Sequence, residues 1–488
     1  MPVTQLNNPH QMEFTWTSFV ANSRVQLILI AYFAIMFLFT RLGEGGLANF
    51  DDCYYAEKAK EILLTGDWLT LHYDGQPRFD NVPLFMWLMA IMFKFFGIST
   101  YTAKFFSALS GVGVVILVYL FAKYLYDHWV GFFSSFFMLT TPYFLKYSRH
   151  AMIDTTLAFF FMLSLLFFLW ALKGRYGYFL LFGLAVGLSI LLKSILGTFP
   201  IVIAILYLVL TRQWRIFRQP LFWAGIGVTI VVAAPWFIYE YVKYGQDFIR
   251  IHFVWLIYER AFVQYSESRH WYSYLDYLRI LWIDYWPWIP LVTWSFVISV
   301  RDYWHSRDQR EIFLIIWIVV VVGIMSLANE KKTWYLTSAF PAFSLIAGRY
   351  VTHLFSEKLK ILLAKSIVLV FFVATVVIVA FPIPLGKERS GDIRGLVEAV
   401  KANTQFREPV LNYKLGFWGH RNSFLFYTDR SLTRPAMDVK SFKEKLQENP
   451  TLTCLTSKKY FHELQQHGSW QILKKSGSLV YFKRKFSN

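Results

Sequence analysis

Residues 49–84 read NFDDCYYAEKAKEILLTGDWLTLHYDGQPRFDNVPL, a polar segment between long apolar ones. Two adjacent carboxylates, Asp51 and Asp52, stand near its start, and Asp80 stands near its end. Ionisable groups at a membrane boundary are costly and are usually retained for a function. This segment is therefore the first candidate for the functional site, and its side of the membrane decides where that site faces.

The composition is typical of a polytopic membrane protein. Of 488 residues, 56% are hydrophobic, 20% are aromatic and only 16% are charged. Apolar runs of about twenty residues, the length of a membrane-spanning helix, recur between Val25 and Pro382. The net charge of +18 does not require nucleic acid as a partner, because cytoplasmic loops of membrane proteins collect Lys and Arg. The two cysteines, Cys53 and Cys454, have no metal-ligand spacing and are expected to be unpaired thiols.

The apolar runs predict an all-α membrane domain with about 11–13 spans. The first run has no small-residue cleavage site and is expected to be an uncleaved span. The run at 83–97 is short, begins at Pro83 and contains Lys94, which favours a helix lying in the membrane interface. A second short helix is expected before it, because apolar residues between Tyr55 and Leu63 recur at helical spacing. The proposed spans are 25–40, 103–122, 129–146, 154–172, 177–192, 195–211, 221–239, 276–299, 311–328, 334–354 and 361–382.

The distribution of Lys and Arg predicts which loops face outward. With the N-terminus inside, the Arg-rich loops around Arg212–Arg218 and Arg301–Arg310 lie on the cytoplasmic side. The loop 41–102, the segment 240–275 and the C-terminal region then face the outside. The polar segment is therefore predicted to be an outer loop.

The pattern changes after about residue 384, which divides the chain into a membrane domain, 1–384, and a small soluble α/β domain, 385–488. EPVLNY, LTCLTS, WQILKK and SLVYFKRK are typical of strands, and DIRGLVEAVKAN and SKKYFHELQQHG of amphipathic helices. This basic domain fits either acceptor binding or docking on anionic lipid.

Asp51 and Asp154 are the candidate catalytic carboxylates. Asp51 follows the first span and Asp154 begins the fourth, so the predicted topology opens both to the same face. A carboxylate in a shared cavity with a second acid is suited to act as a general base, because burial and the neighbouring charge raise its pKa. The alternative is that each Asp merely caps a helix.

Lys and Arg are enriched in cytoplasmic loops, so cations predicted on the outer face need a separate explanation. An anionic phosphate attached to a long apolar tail would place its charge at their depth. The alternative for each cation is that it extends to the aqueous surface. The candidates are Arg149, His150, Lys193, Arg260, Lys331 and Lys332.

Several enzyme classes lack support in the sequence. GEGG at 43–46 is not followed by GK[ST], so a nucleotide-binding P-loop is not expected. No HExxH, GxSxG or metal-ligand cluster is present. A water-soluble nucleotide-sugar donor therefore has no visible binding motif.

The block DDCYYAEKAKEILLTGDW, followed by FDNVPLFMWL, resembles the outer-loop signature of the GT-C polytopic glycosyltransferases. The resemblance is to the branch of protein mannosyltransferases and lipid A aminoarabinose transferases. SRHAMIDTTLAFF, LLKSILG, APWF, YERAF and EKKTWYLTSAFP resemble later motifs of that branch in the same order. The similarity covers about the first 350 residues.

The resemblance implies transfer of a sugar from a polyprenyl-phosphate carrier, with inversion at the anomeric carbon, to a lipid, glycan or protein acceptor. It places Asp51 and Asp154 at the two catalytic carboxylate positions and Arg260 at a position that contacts the carrier phosphate. Donor phosphate contacts are also expected from Lys193, Arg149 and Lys332. Acceptor contacts or supporting roles are expected from Asp52, Tyr55, Asp80 and Asn81.

The chain departs from the family pattern at three positions. Asn81 stands where the aminoarabinose enzymes have Lys, Val82 replaces a Pro, and Tyr54 occupies a position that is often Arg. These changes concern the specific aminoarabinose reaction and leave the general reaction unaffected. No cofactor is required, although some relatives use a divalent metal, for which Asp51 and Asp80 could supply two carboxylates.

The leading hypothesis is a bacterial inner-membrane glycosyltransferase whose site and C-terminal domain are periplasmic. A transporter or flippase of a lipid-linked sugar would use the same cavity without chemistry, but no inverted repeat is visible. A third hypothesis is a membrane-anchored binding protein that acts through its C-terminal domain.

Overall fold

The computed structural model describes residues 16–263, 275–381, 390–449 and 451–485. The predicted domain boundary at 384/385 lies outside these ranges. The part before residue 382 is helical apart from a small hairpin, and the part after residue 389 contains a five-stranded sheet. The predicted fold class is confirmed.

The helices of the first part follow the apolar runs. In chain order they are α1 Trp16–Ala21, α2 Ser23–Phe39, α3 Asp51–Thr65, α4 Leu84–Phe96, α5 Thr100–Leu125, α6 His128–Leu139, α7 Pro142–Ser148, α8 Ile153–Leu172, α9 Tyr178–Lys193, α10 Phe199–Leu210, α11 Pro220–Tyr244, α12 Gln246–Phe248, α13 Arg260–Phe262, α14 Asp276–Asp284, α15 Ile289–Ser306, α16 Gln309–Leu327, α17 Phe340–Leu354 and α18 Glu357–Ala380. Ser194–Thr198, Trp214–Arg218 and Thr333–Ala339 are 3₁₀ segments, and Ile249–Glu259 is a π-helix.

Six helical stretches of the described residues are long and apolar enough to cross a membrane. They are Thr100–Leu125, Ile153–Leu172, Tyr178–Leu210, Pro220–Tyr244, Gln309–Leu327 and Glu357–Ala380. The third stretch bends at Ser194, where φ is 31°. Gly197 then lies against the backbone of Ser189, where a Cβ would come within 2.3 Å of the Ser189 carbonyl carbon. The spans predicted at 177–192 and 195–211 correspond to α9 and α10 on either side of this bend.

Three predicted spans differ from the observed helices. The run 129–146 is interrupted between Leu139 and Pro142, and 276–299 is divided into α14 and α15 around Pro287. Proline cannot donate the backbone hydrogen bond of a helix interior, which explains the second break. The run 334–354 begins as a 3₁₀ segment. Apolar content alone therefore overestimated the continuity of these helices.

The polar segment folds as two helices joined by a hairpin. Both predicted short helices are present, as α3 and α4. Gly66, with φ 72°, ends α3 in the left-handed conformation. The strands β1 His72–Tyr73 and β2 Gln76–Pro77 pair through the turn Asp74–Gly75, both with positive φ, as a type I′ turn requires.

The C-terminal sheet has the order β4-β3-β5-β7-β6. The four predicted strands are confirmed as β3 Pro409–Asn412, β5 Thr453–Ser457, β6 Trp470–Ser476 and β7 Leu479–Arg484. β3 runs parallel to its neighbours β4 Ser431–Leu432 and β5, whereas β7 is antiparallel to β5 and β6. The accompanying helices are α19 Gly391–Arg394, α20 Val397–Asn403, α21 Phe417–Thr428, α22 Val439–Glu448 and α23 Lys458–Gln465.

The C-terminal domain packs against α3 through α21. This contact buries Glu57, Lys60 and Glu61 of α3, charged residues that a solvent-facing amphipathic helix would expose. Lys60 bridges Glu57 and Asp429, at 2.6 and 2.9 Å. Arg407 pairs with the fully buried Glu61 at 2.9 Å. The polar face of α3 is therefore an internal domain contact.

Candidate active site

The structure contains a cavity of about 1030 Å³. Its walls are formed by the start of α3, the segment before α4, the end of α9, the π-helix, the loop before α17 and the start of α21. Seven of the predicted site residues line it: Asp51, Tyr55, Asp80, Asn81, Lys193, Arg260 and Lys332. Its remaining wall is largely apolar, with side chains such as Leu196, Phe199, Trp255, Leu256 and Met325. The cavity thus has one charged wall and one apolar wall.

Asp51 is the first residue of α3 and faces this cavity. Burial, reinforced by the negative charge of Asp154, raises its pKa to about 7. Lys193 and Lys332 act in the opposite direction and limit the rise. A carboxyl group with this pKa can exchange a proton with a hydroxyl group near neutral pH, as a general base must.

Asp154 lies in the first turn of α8 and is almost fully buried. Lys193 donates a hydrogen bond from Nζ to Asp154 Oδ1 at 2.5 Å and lies 4.4 Å from the centre of the Tyr335 ring. The second oxygen of Asp154 has no hydrogen-bond partner among the described residues. The bend after α9 thus places a cation between the two acids.

A second group of cations forms around Glu330. Arg260 donates from Nε to Glu330 and from Nη2 to the Tyr335 hydroxyl at 3.1 Å, and Lys332 pairs with Glu330 at 2.9 Å. Burial would raise the pKa of Glu330, but the hydrogen bonds from Arg260 and Lys332 lower it below its usual value. Two cations held by one carboxylate leave net positive charge, which favours a phosphate in this part of the cavity.

Asp80 and Asn81 are held by a residue that the sequence pattern did not single out. Lys58 donates from Nζ to Asp80 Oδ1 and to Asn81 Oδ1, both at 2.7 Å, and lies 4.1 Å from the Tyr54 ring centre. The Tyr54 hydroxyl donates to the other Asp80 oxygen at 2.7 Å. Both oxygens of Asp80 are therefore occupied.

This arrangement does not fit a divalent cation between Asp51 and Asp80. Metal binding would require Asp80 to leave Lys58, which is a fixed positive charge in the same place. No group of three or more His, Cys, Asp or Glu residues within the described ranges has the arrangement of a metal site.

Three predicted site residues, Arg149, Asp52 and Asp154, are not among those that line the cavity, so Asp154 reaches it only through its hydrogen bond from Lys193. Arg149 donates to the carbonyls of Phe37 and Thr40, at 2.6 and 2.8 Å, at the end of α2. Asp52 accepts hydrogen bonds from His150 at 2.8 Å and from the Ala48 N–H at 3.2 Å. Their contacts support the backbone around the site.

Sequence reasoning missed several residues of the wall. Arg78, His252, Arg421 and Asn422 line the cavity. His252 bonds to the Phe79 carbonyl at 2.7 Å and to Ser194 Oγ at 3.1 Å, which ties the segment before Asp80 to the bend after Lys193. Arg78 lies only two positions from Asp80, and this proximity was a usable signal. No local pattern pointed to residues 421 and 422.

Known proteins resemble this chain in sequence and in fold. A family model described as dolichyl-phosphate-mannose-protein mannosyltransferase matches residues 79–239. The crystal structure of ArnT from Cupriavidus metallidurans bound to undecaprenyl phosphate superposes with a TM-score of 0.72 and 17% identity, covering 93% of this chain and 97% of that one. The chain has the fold of ArnT. The predicted resemblance to the GT-C glycosyltransferases is confirmed.

A second solved structure and two relatives found by sequence are also similar to this chain. The archaeal oligosaccharyltransferase AglB from Archaeoglobus fulgidus has a TM-score of 0.56 and 13% identity, with 90% of this chain and 70% of AglB covered. An undecaprenyl phosphate-alpha-4-amino-4-deoxy-L-arabinose arabinosyl transferase of Pseudomonas aeruginosa is 26% identical over 347 residues, 69% of this chain and 60% of the relative. An uncharacterized protein of Aquifex aeolicus is 25% identical over 347 residues, 69% of this chain and 66% of the relative. The chain thus spans less than two thirds of these two relatives.

Proposed function

We propose that the protein is a polyprenyl-phosphate-sugar-dependent glycosyltransferase. The observation that carries the proposal is the presence of Asp51, with its pKa near 7, in one cavity with Lys193, Arg260 and Lys332. The similarity to the Pseudomonas transferase and the fold of ArnT support the same class of reaction. In this proposal the cavity opens to the periplasmic side of a bacterial inner membrane, where it meets a lipid, glycan or protein acceptor.

The proposed reaction is an inverting displacement. An acceptor oxygen attacks the anomeric carbon and forms the new C–O bond while the bond from that carbon to the phosphate oxygen breaks. The electron pair leaves with the polyprenyl phosphate, and the acceptor proton moves to Asp51. Lys193, Arg260 and Lys332 stabilise the phosphate charge that develops on departure. Asp154 holds Lys193 in place through their hydrogen bond.

The apolar part of the cavity is suited to the carrier chain. It is formed by the start of α10, the end of α16 and one side of the π-helix, which meet near Phe199, Met325 and Trp255. π-Helical segments are rare and occur frequently at functional sites. A prenyl tail in this groove would place its phosphate beside Arg260, which directly follows the π-helix.

The test is transfer from undecaprenyl-phosphate-linked sugars by the full chain in lipid nanodiscs. Asp51→Asn should reduce transfer by at least about 100-fold, since the general base is lost. The control is Asp247→Asn, which changes a carboxylate that is 72% exposed and lies outside the cavity. Full activity of purified Asp51→Asn would contradict the proposal, as would movement of an intact lipid-linked sugar across the membrane without transfer.

A further inference from the structure

The residues immediately before Asp51 are held by the C-terminal domain. The Leu47 N–H donates to the Tyr427 hydroxyl at 2.8 Å, and the Leu47 carbonyl accepts a hydrogen bond from Ser390 Oγ. Asn49 Oδ1 accepts from the Ser423 N–H and hydroxyl, at 2.9 and 3.0 Å. Most of the segment 47–50 therefore depends on contacts from about 340–380 residues away along the chain.

Asn422 makes the contact nearest to Asp51. Its Nδ2 donates to the Phe50 carbonyl at 3.2 Å, and its Oδ1 accepts from the Tyr73 hydroxyl at 2.6 Å. The amide thus links the residue before Asp51 to the hairpin that precedes Asp80. Both of its polar ends are used, and the side chain also lines the cavity.

The start of α3 needs such external contacts. Phe50, at the N-cap position, provides no side-chain hydrogen bond to the first turn. The preceding Gly45 and Gly46 both have positive φ, 78° and 69°, so the chain that enters the helix is intrinsically pliable. From the membrane domain, the segment is held by Asp52, through the Ala48 N–H and His150. The second set of contacts comes from α21.

We infer that Asn422 is a positioning residue for Asp51, and that the C-terminal domain forms part of the catalytic apparatus through it. This inference rests on the proposed function. The Phe50 carbonyl accepts from the Tyr54 N–H within α3 at 3.2 Å, and Asn422 adds a second hydrogen bond from outside the helix, which restrains the direction in which the first residue of α3 enters the cavity. A misplacement of about 1 Å at a reacting group can cost about 100-fold in rate. The domain would thus control the rate without supplying the base.

The first test does not depend on activity. Hydrogen–deuterium exchange of the full chain in nanodiscs would compare wild type with Asn422→Ala and with Tyr427→Phe, which removes only a hydroxyl group. We expect exchange of the amides in 47–54 to rise about tenfold in both, because local opening becomes easier, while exchange in α5 and in the sheet is unchanged. The control Asn403→Ala removes an amide whose Nδ2 bonds to the Ala399 carbonyl within the same domain. Unchanged exchange of 47–54 in both variants would overturn the inference.

The second test separates positioning from loss of folded protein. Asn422→Ala should lower kcat about tenfold with KM for the lipid-linked donor within about twofold, because the phosphate-binding cations are untouched. It should also lower the pH at which activity is half-maximal on the acidic side. Burial is the main cause of the raised pKa of Asp51, and a misplaced Asp51 is less buried. The charged groups that surround it are Asp154, Lys193, Lys332 and Asp52. An unchanged kcat and midpoint beside an active wild type would refute the positioning role. An inactive wild type would instead refute the proposed function and leave the exchange test decisive.

Discussion

Lys58 donates a hydrogen bond to Asp80 at 2.7 Å from a side chain with no solvent exposure. It also contacts Asn81 and Tyr54, the two positions at which the resemblance led us to expect Lys, as in the aminoarabinose enzymes, and often Arg. The chain therefore has a cation directly behind this part of the cavity wall, contributed one helical turn after Tyr54. Its charge is already balanced by Asp80, which distinguishes it from a cation available to phosphate.

This pair predicts the cost of removing Lys58. Breaking a fully buried pair costs about 3–5 kcal/mol, and Asp80 is 23% exposed to the cavity, so we expect Lys58→Met to cost about 2–3 kcal/mol. The measurement is the Tm in one detergent at pH 7. Arg250→Met, which breaks a surface pair with Asp247 whose two side chains are 74% and 72% exposed, should change stability by less than about 0.5 kcal/mol. Equal Tm changes in the two variants would show that the Lys58 pair is not a structural requirement.

The pKa of Asp51 predicts the pH dependence of activity. A base must be deprotonated, so the rate should fall as the pH decreases through about 7, with a slope of one proton. Lys193 lowers this pKa by its charge, and Lys193→Met should therefore move the midpoint upward as well as reduce the rate. The measurement is the initial rate between pH 5 and 9 for both proteins. A midpoint near 4 in wild type would show that Asp51 is not a buried base.

The same pKa predicts an effect on stability. The pKa of Asp51 is raised in the folded state, from 3.8 to about 7, so ionisation destabilises the fold as the pH rises through this interval. Asp51→Asn has no such penalty and should have a higher Tm than wild type at pH 8, with little difference at pH 4. The reference variant Asp247→Asn should follow wild type at both values. A lower Tm for Asp51→Asn at pH 8 would contradict a destabilising charge at this position.

Local sequence patterns accounted for much of the fold. The spacing from Tyr55 to Leu63 predicted α3, the short apolar run beginning at Pro83 predicted α4, and alternation predicted four strands of the terminal sheet. These features depend on neighbours a few residues apart, which is the range over which periodicity carries information. Asp51 and Asp154 were proposed as site residues because the predicted topology and the motif pointed to the same side of the membrane, and Asp51 does line the cavity.

Contacts between segments far apart in the chain could not be predicted from local sequence patterns. The local sequence pattern predicts that Lys60 is exposed to solvent. In the structure it pairs with Asp429, which lies 369 positions later in the chain. Glu61 is fully buried, and the cation that balances its charge is the distant Arg407. Asn422 has no motif, since its role comes from the packing of α21 on α3. Long-range pairing of polar residues follows from the tertiary fold and leaves no periodic signal.

Arg260 allows the phosphate contact to be tested separately from the base. Its guanidinium bonds to Glu330 and to Tyr335 at the same time, a geometry that the single ammonium of Lys cannot reproduce. We expect Arg260→Lys to weaken binding of undecaprenyl phosphate about 10-fold and Arg260→Met about 100-fold, measured by native mass spectrometry of the detergent-purified protein. Arg250→Lys is the matched control, since that side chain is 74% exposed on the π-helix and pairs only locally with Asp247. Undiminished binding by Arg260→Met would place the carrier phosphate elsewhere in the cavity, against Lys193 or Arg78.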